Sequence, residues 1–184
     1  MEAAIQLSPH SNSSHGRFLL IDHADWTLSL NQLDSITRDK VHYRQITKAS
    51  KLPHHAASAF SWSPADKALI AIGGTSGETS LLRLNEDHRP PETVATFKVK
   101  QQRKCYSVAF SHQNWLAVAL DKVRSDVCLN IFDINADLSA TAEPVRKLCA
   151  AEHVSSVCFF PSAPQELIAT TQRAFVRIYD LRGK

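Results

Sequence analysis

Val108-Ala109-Phe110-Ser111, then Trp115-Leu116-Ala117-Val118-Ala119, then Ile131-Phe132-Asp133-Ile134 form an order of parts that recurs on either side. Upstream, Phe60-Ser61-Trp62-Ser63-Pro64 precedes Leu69-Ile70-Ala71-Ile72 and Leu81-Leu82-Arg83-Leu84. Downstream, Val157-Cys158-Phe159-Phe160-Pro161 precedes Leu167-Ile168-Ala169-Thr170 and Ile178-Tyr179-Asp180-Leu181. Trp62, Phe110 and Phe159 align, and so do Arg83, Asp133 and Asp180, at a spacing of about 48 residues. Each part reads as a β-strand. The first alternates large and small residues, as a pleated strand packed on one side does. The second is apolar on both faces, as a strand sandwiched between neighbouring sheets must be. The third ends in an aromatic or aliphatic residue followed by an acidic one.

A more polar fourth strand is expected over Ala95-Thr96-Phe97-Lys98-Val99 and over Val145-Arg146-Lys147-Leu148, where charges discourage edge pairing. Gly73-Gly74-Thr75-Ser76-Gly77, Asn85-Glu86-Asp87, Asn135-Ala136-Asp137 and Ser162-Ala163-Pro164 carry turn chemistry. A fainter copy opens the chain, with Ile5 to His10, Arg17 to Ile21, Trp26-Thr27-Leu28-Ser29-Leu30 and Val41 to Ile46. Four-stranded units repeating at this length are propeller blades. The fold class is therefore mainly β, one propeller domain over 1–184 with units near 1–50, 51–99, 100–148 and 149–184. Four blades are fewer than the usual ring of about seven, so the expectation is a portion of a larger propeller. The expected core signature is Trp62, Phe110, Trp115, Phe132, Phe159 and Tyr179.

Composition agrees with a packed globular protein and narrows its chemistry. The 184 residues are 43% hydrophobic and 21% charged, which excludes a disordered chain. The formal charge is only +3, far from the concentrated positive field of a nucleic-acid binder. Cys105, Cys128, Cys149 and Cys158 include no Cys-x-x-Cys pair and match no zinc spacing, so they read as reduced structural thiols. No secretory signal is visible at Met1-Glu2-Ala3-Ala4-Ile5, and no apolar run approaches bilayer length. The expectation is a cytoplasmic protein that is not inserted in a membrane.

The repeats resemble degenerate WD repeats, with Ile131-Phe132-Asp133 and Ile178-Tyr179-Asp180 in the place of the Trp-Asp dipeptide. More narrowly, Asn114 to Asp126, with Leu120-Asp121-Lys122-Val123-Arg124-Ser125-Asp126 as its distinctive part, is similar to a segment of the Mio (Mios) family. Ser8-Pro9-His10 with Arg17-Phe18 and the closing Tyr179-Asp180-Leu181-Arg182 extend the likeness along the chain. That resemblance implies a non-enzymatic scaffold in the SEA complex, called GATOR in animals, which relays amino-acid availability to TOR signalling. It implies other propeller subunits as partners, no cofactor, and a peripheral place at the vacuolar or lysosomal membrane held through the complex.

Candidate sites follow from charge and loop length. Asp121, Lys122, Arg124 and Asp126 lie in a loop longer than its counterparts in the other repeats, and such loops at propeller faces bind partners. The plainer reading is a solvated loop whose ions pair among themselves. Asp180 and Arg182 after Tyr179 resemble the motif by which some WD proteins dock on cullin-type ubiquitin ligases, which makes a substrate receptor the alternative function. The plainer reading there is a turn-capping aspartate beside an exposed arginine. Lys98 to Lys104 is the densest basic run and reads as a solvated edge rather than a phosphate site. His54, His55 and His153 precede first strands, where WD repeats place a hydrogen-bonding histidine. No nucleophile elbow, phosphate loop or His-Glu-x-x-His helix occurs, so no catalytic or metal site is expected.

Overall fold

The structure, a computed structural model, describes residues 3–11, 16–25, 27–49, 57–85, 89–135, 143–150 and 152–183. Trp26, His54, His55, Glu86, Asp87, Ala136 and Asp137, which carry expected strand, turn or hydrogen-bonding roles, lie outside those residues. Every regular element among the described residues is a strand. The first sheet holds β1 (Ala3–Leu7), β2 (Arg17–Asp22), β3 (Thr27–Ile36) and β4 (Val41–Ala49). The second holds β5 (Ala57–Trp62), β6 (Leu69–Gly74), β7 (Thr79–Arg83) and β8 (Glu92–Phe97). The third holds β9 (Cys105–Phe110), β10 (Trp115–Leu120), β11 (Leu129–Asp133) and β12 (Arg146–Leu148). The fourth holds β13 (Val154–Phe160), β14 (Ala163–Thr171) and β15 (Val176–Asp180). All neighbours are antiparallel and follow chain order, so each sheet is a simple meander.

Register explains why the aromatic positions recur. Trp62 pairs with Ile70, Phe110 with Leu116 and Phe159 with Leu167, which is one geometry used three times. All three aromatic side chains are buried, as is Phe132, whereas Trp115 and Tyr179 are half-buried against the core between the third and fourth sheets.

The sheets stack face to face through three apolar layers. Alternation along each second strand assigns side chains to layers, because successive side chains leave a strand on opposite faces. Ile70 and Ile72 meet Leu19 and Ile21 of the first sheet, while Leu69 and Ala71 meet Leu116 and Val118 of the third. Ala117 and Ala119, on the other face of β10, meet Leu167 and Ala169 of the fourth. Phe97 and Phe132 stack across the second layer with ring centroids 4.3 Å apart. Each fully buried leucine or isoleucine here contributes roughly 1.5–3 kcal/mol of transfer free energy.

Three local expectations are corrected. Gly73 and Gly74 end β6 instead of opening the turn. A Cβ at Gly73 would lie 2.4 Å from Cys105 Sγ, so the close approach of the second and third sheets requires glycine. β8 stops at Phe97, leaving Lys98 and Val99 in the connection. Ala163 and Pro164 belong to β14, where the register breaks between Phe159 and Phe160 and accommodates a residue without an N–H.

Candidate interaction surface

A buried serine closes the first strand of three sheets. Ser8, Ser63 and Ser111 each accept a hydrogen bond at Oγ from the backbone N–H two residues on, from His10, Ala65 and Gln113 respectively. Ser111 Oγ also donates to the Pro164 carbonyl at 2.6 Å, which ties the third sheet to the fourth. His10 Nε2 lies 2.8 Å from the Ser63 carbonyl and ties the first to the second. In the sequence Ser63 and Ser111 directly follow the recurring aromatic and Ser8 follows Leu7, a signal easily read as spacing alone.

The loop of residues 121–128 joins β10 to β11, where the corresponding links elsewhere span 75–78 and 172–175. Its fold is set from within. Asp121 Oδ1 accepts from the Lys122 N–H at 2.8 Å, and the Asp126 N–H donates to the Val123 carbonyl at 3.1 Å. Lys122 Nζ donates to the carbonyls of Ala150 and Asp126. Asp126 Oδ2 sits 3.9 Å from Arg103 Nη2. Arg124 takes φ +51°, is exposed, and has no ion-pair partner among the described residues. The structure therefore brings Asp121, Lys122 and Asp126 into one hydrogen-bonded knot tied to Ala150, His153 and Arg103, and presents Arg124 outward.

Beside the knot lies an aromatic step. Lys104 Nζ stands 5.0 Å above the Tyr106 ring, and Tyr106 stacks on His153 at 5.0 Å. His153 Nδ1 is 3.6 Å from Asp121 Oδ1, so this histidine reaches across to the loop of the preceding sheet. Lys104, Tyr106 and His153 thus present a cation and aromatic faces together, which is the chemistry of protein-contact surfaces.

Asp180 and Arg182 occupy a different edge and are bound to each other. Arg182 donates to Asp180 through Nε at 2.9 Å and Nη2 at 2.7 Å, and through Nη2 to Glu166 at 3.2 Å. Hydrogen bonding from Arg182 holds the Asp180 carboxyl down at about 2, and Asp180 in turn raises the guanidinium. Asp133 and Asp180 share one further role, each accepting the N–H two residues on. Arg83, their counterpart in the second sheet, pairs instead with Asp66 at 3.2 Å. Burial lifts the Cys105 thiol to about 12 and also raises Cys128, so neither offers a ready thiolate. Among the described residues no three His, Cys, Asp or Glu side chains converge as a metal site, and no helix is long and apolar enough to cross a membrane.

Antiparallel four-stranded meanders stacked about common apolar layers define a β-propeller of WD type. The β-propeller domain of Myceliophteria thermophila Cps50 (Swd1) superposes with TM-score 0.65 over 96% of this chain and 53% of that domain, at 15% identity. No protein-family model matches the chain. At the level of sequence the chain is similar to Mio proteins. It is 27% identical to the GATOR2 complex protein MIOS of Danio rerio, over 64% of this chain and 16% of that protein. It is 32% identical to the GATOR2 complex protein MIOS-A of Xenopus laevis, over 53% of this chain and 12% of that protein. An uncharacterised WD repeat-containing protein of Schizosaccharomyces pombe is 31% identical over 62% of this chain and 12% of its own length. The chain spans less than a fifth of the length of these relatives.

Proposed function

We propose that this chain acts as a non-enzymatic WD-repeat scaffold within a GATOR-type complex that links amino-acid availability to TOR signalling. The observation that carries the reading is the likeness to proteins named as GATOR2 complex members, joined to a propeller architecture. Stacked sheets with both faces buried make a rigid platform, and its loops offer several binding edges at once. Partners in this reading are other WD-repeat subunits of the complex. The working place is cytoplasmic, at the surface of a vacuole or lysosome and held there through the complex. The outer face of the fourth sheet supports the same platform, because Cys158, Ile168 and Ile178 form one cross-strand row there, ready for a further blade.

Native affinity purification of the tagged protein with mass spectrometry of what it retains tests the reading. Recovery of other GATOR-type subunits is the expected result. Recovery of a cullin adaptor instead, lost on Arg182→Ala, would favour the ligase-receptor alternative. That alternative requires Arg182 to leave Asp180 and Glu166 first.

A further inference from the structure

Between the second and third sheets a cleft of about 250 Å³ opens at the outer rim, lined by the β8–β9 connection on one side and by β11 and the approach to β12 on the other. Arg103 lines it. Its side chain is only 4% exposed, and its one ion pair among the described residues is the 3.9 Å contact from Nη2 to Asp126. Nε and Nη1 are buried with no hydrogen-bond partner. Asn130 Oδ1, which belongs to a second residue lining the cleft, is buried and unpartnered as well. Buried polar groups in folded proteins are almost always satisfied, and leaving a charged one unmet costs more than leaving an amide. Two unpartnered donors and one unpartnered acceptor thus belong to residues that line a single cleft.

The remaining lining sets the ligand's chemistry. Lys98 and Lys100 stand exposed on the rim without an ion-pair partner among the described residues. Glu143 is already engaged by Lys147 at 2.7 Å, and that hydrogen bond holds its carboxyl below the ordinary carboxylate range. Val99, Phe132 and Pro144 add apolar wall. We propose that this cleft binds an acidic, extended segment of a partner protein, with one carboxylate reaching Arg103 and a backbone N–H donating to Asn130 Oδ1. A bare phosphate fits less well. It brings acceptors only, so Asn130 stays unmet, and its second charge would face Asp126 and Glu143. A carboxylate side chain suits the cleft volume, and its charge-assisted bonds to a guanidinium are the stronger kind. The inference deepens the scaffold reading and rests on it for the ligand being a partner's segment.

The Arg103 position is itself built in. Its N–H donates to the Ser76 carbonyl at 3.2 Å, and its own carbonyl lies 2.4 Å from where a Cβ on Gly77 would stand. Gly77 has φ +88°, so this turn admits the Arg103 backbone only because the residue is glycine.

Fluorescence anisotropy on the full-length protein tests the proposal, with a labelled acetyl-Gly-Glu-Asp-Glu-Gly-amide probe and its Gln/Asn counterpart as control. The acidic probe is expected to bind at least about tenfold more tightly than the control, given the strength of charge-assisted pairs. Arg103→Met is expected to abolish that preference. Because Arg103 is buried, Lys98→Gln/Lys100→Gln is the second variant, expected to weaken binding about threefold and to flatten its salt dependence. Glu143→Gln is expected to tighten it. Equal binding of both probes, or a folded Arg103→Met that keeps the preference, would overturn the proposal. Displacement of the probe by equimolar inorganic phosphate would overturn it in favour of a phosphate site. Failure of the probe while GATOR-type subunits still co-purify removes this inference alone, whereas loss of those subunits removes the scaffold reading.

Discussion

β10 of the third sheet and β15 of the fourth are the same kind of strand placed differently. In β10 both faces are covered: Leu116, Val118 and Leu120 face the second sheet, and Ala117 and Ala119 face the fourth. In β15 the alternation runs against expectation. Tyr179 and Arg177 lie on the packed side, opposite Leu167 and Ala169, and Arg177 pairs with the buried Glu152 at 3.1 Å. Val176 and Ile178 lie on the bare side, 61% and 64% exposed. The first sheet shows the same thing at the other end of the stack, where Ile5 and Leu7 are 63% and 71% exposed. Amphipathic logic turns apolar residues away from water. The arginine on the side of β15 toward the third sheet stays 45% exposed, while valine and isoleucine form an apolar row on the opposite face. The difference teaches that the two inner sheets are covered on both faces, whereas the end sheets turn an apolar row outward.

The largest expected effect comes from trading an inner leucine. Leu116→Ala should destabilise the protein by about 2–5 kcal/mol in urea unfolding, since it leaves a cavity between two sheets. Ile178→Ala should cost about 0.5 kcal/mol or less where its face is bare. Equal costs for the two would break the comparison. Next, Gly77→Ala should lower stability by about 1–3 kcal/mol, because a side chain at φ +88° is strained and its Cβ meets the Arg103 carbonyl. Ser111→Ala should cost about 1 kcal/mol, from the lost bond to Pro164 and the turn N–H left without its acceptor.

The smallest effect concerns Asp180. Its folded pKa near 2 lies below the ordinary 3.8, so its pairing with Arg182 favours the folded state at neutral pH. That contribution fades as pH falls from about 4 through 2, with the sign expected of a depressed carboxyl. A carboxyl titration followed by NMR should place the midpoint near 2, and Arg182→Ala should return it toward 3.8.

Most of the fold was legible because propeller strands carry their burial in their own alternation. Leu69 to Ile72 and Leu116 to Ala119 are apolar at every position, which only a strand covered on both faces can sustain. Gly73 and Gly74 misled because glycine marks turns and close approaches alike, and only the position of Cys105 separates the two. The candidate surface was less readable. Asp121, Lys122 and Asp126 are close in sequence, but the contacts that hold them run to the Ala150 carbonyl, His153 and Arg103, which lie elsewhere in the chain. Arg103 was hidden among exposed lysines of the same charge, and nothing local to Lys98–Lys104 distinguishes the one buried cation from its neighbours.

Cysteine reactivity tests the comparison at its centre. Cys105 is buried between the second and third sheets and Cys128 between the third and fourth, whereas Cys158 lies in the outward row with Ile168 and Ile178. In the native assembly, labelled with a membrane-impermeant maleimide and read by mass spectrometry, Cys158 should react as slowly as Cys105 until the assembly is denatured. Labelling of Cys158 at the rate of an exposed thiol, with Cys105 still protected, would mean that the outer face of the fourth sheet stays bare and would contradict the account.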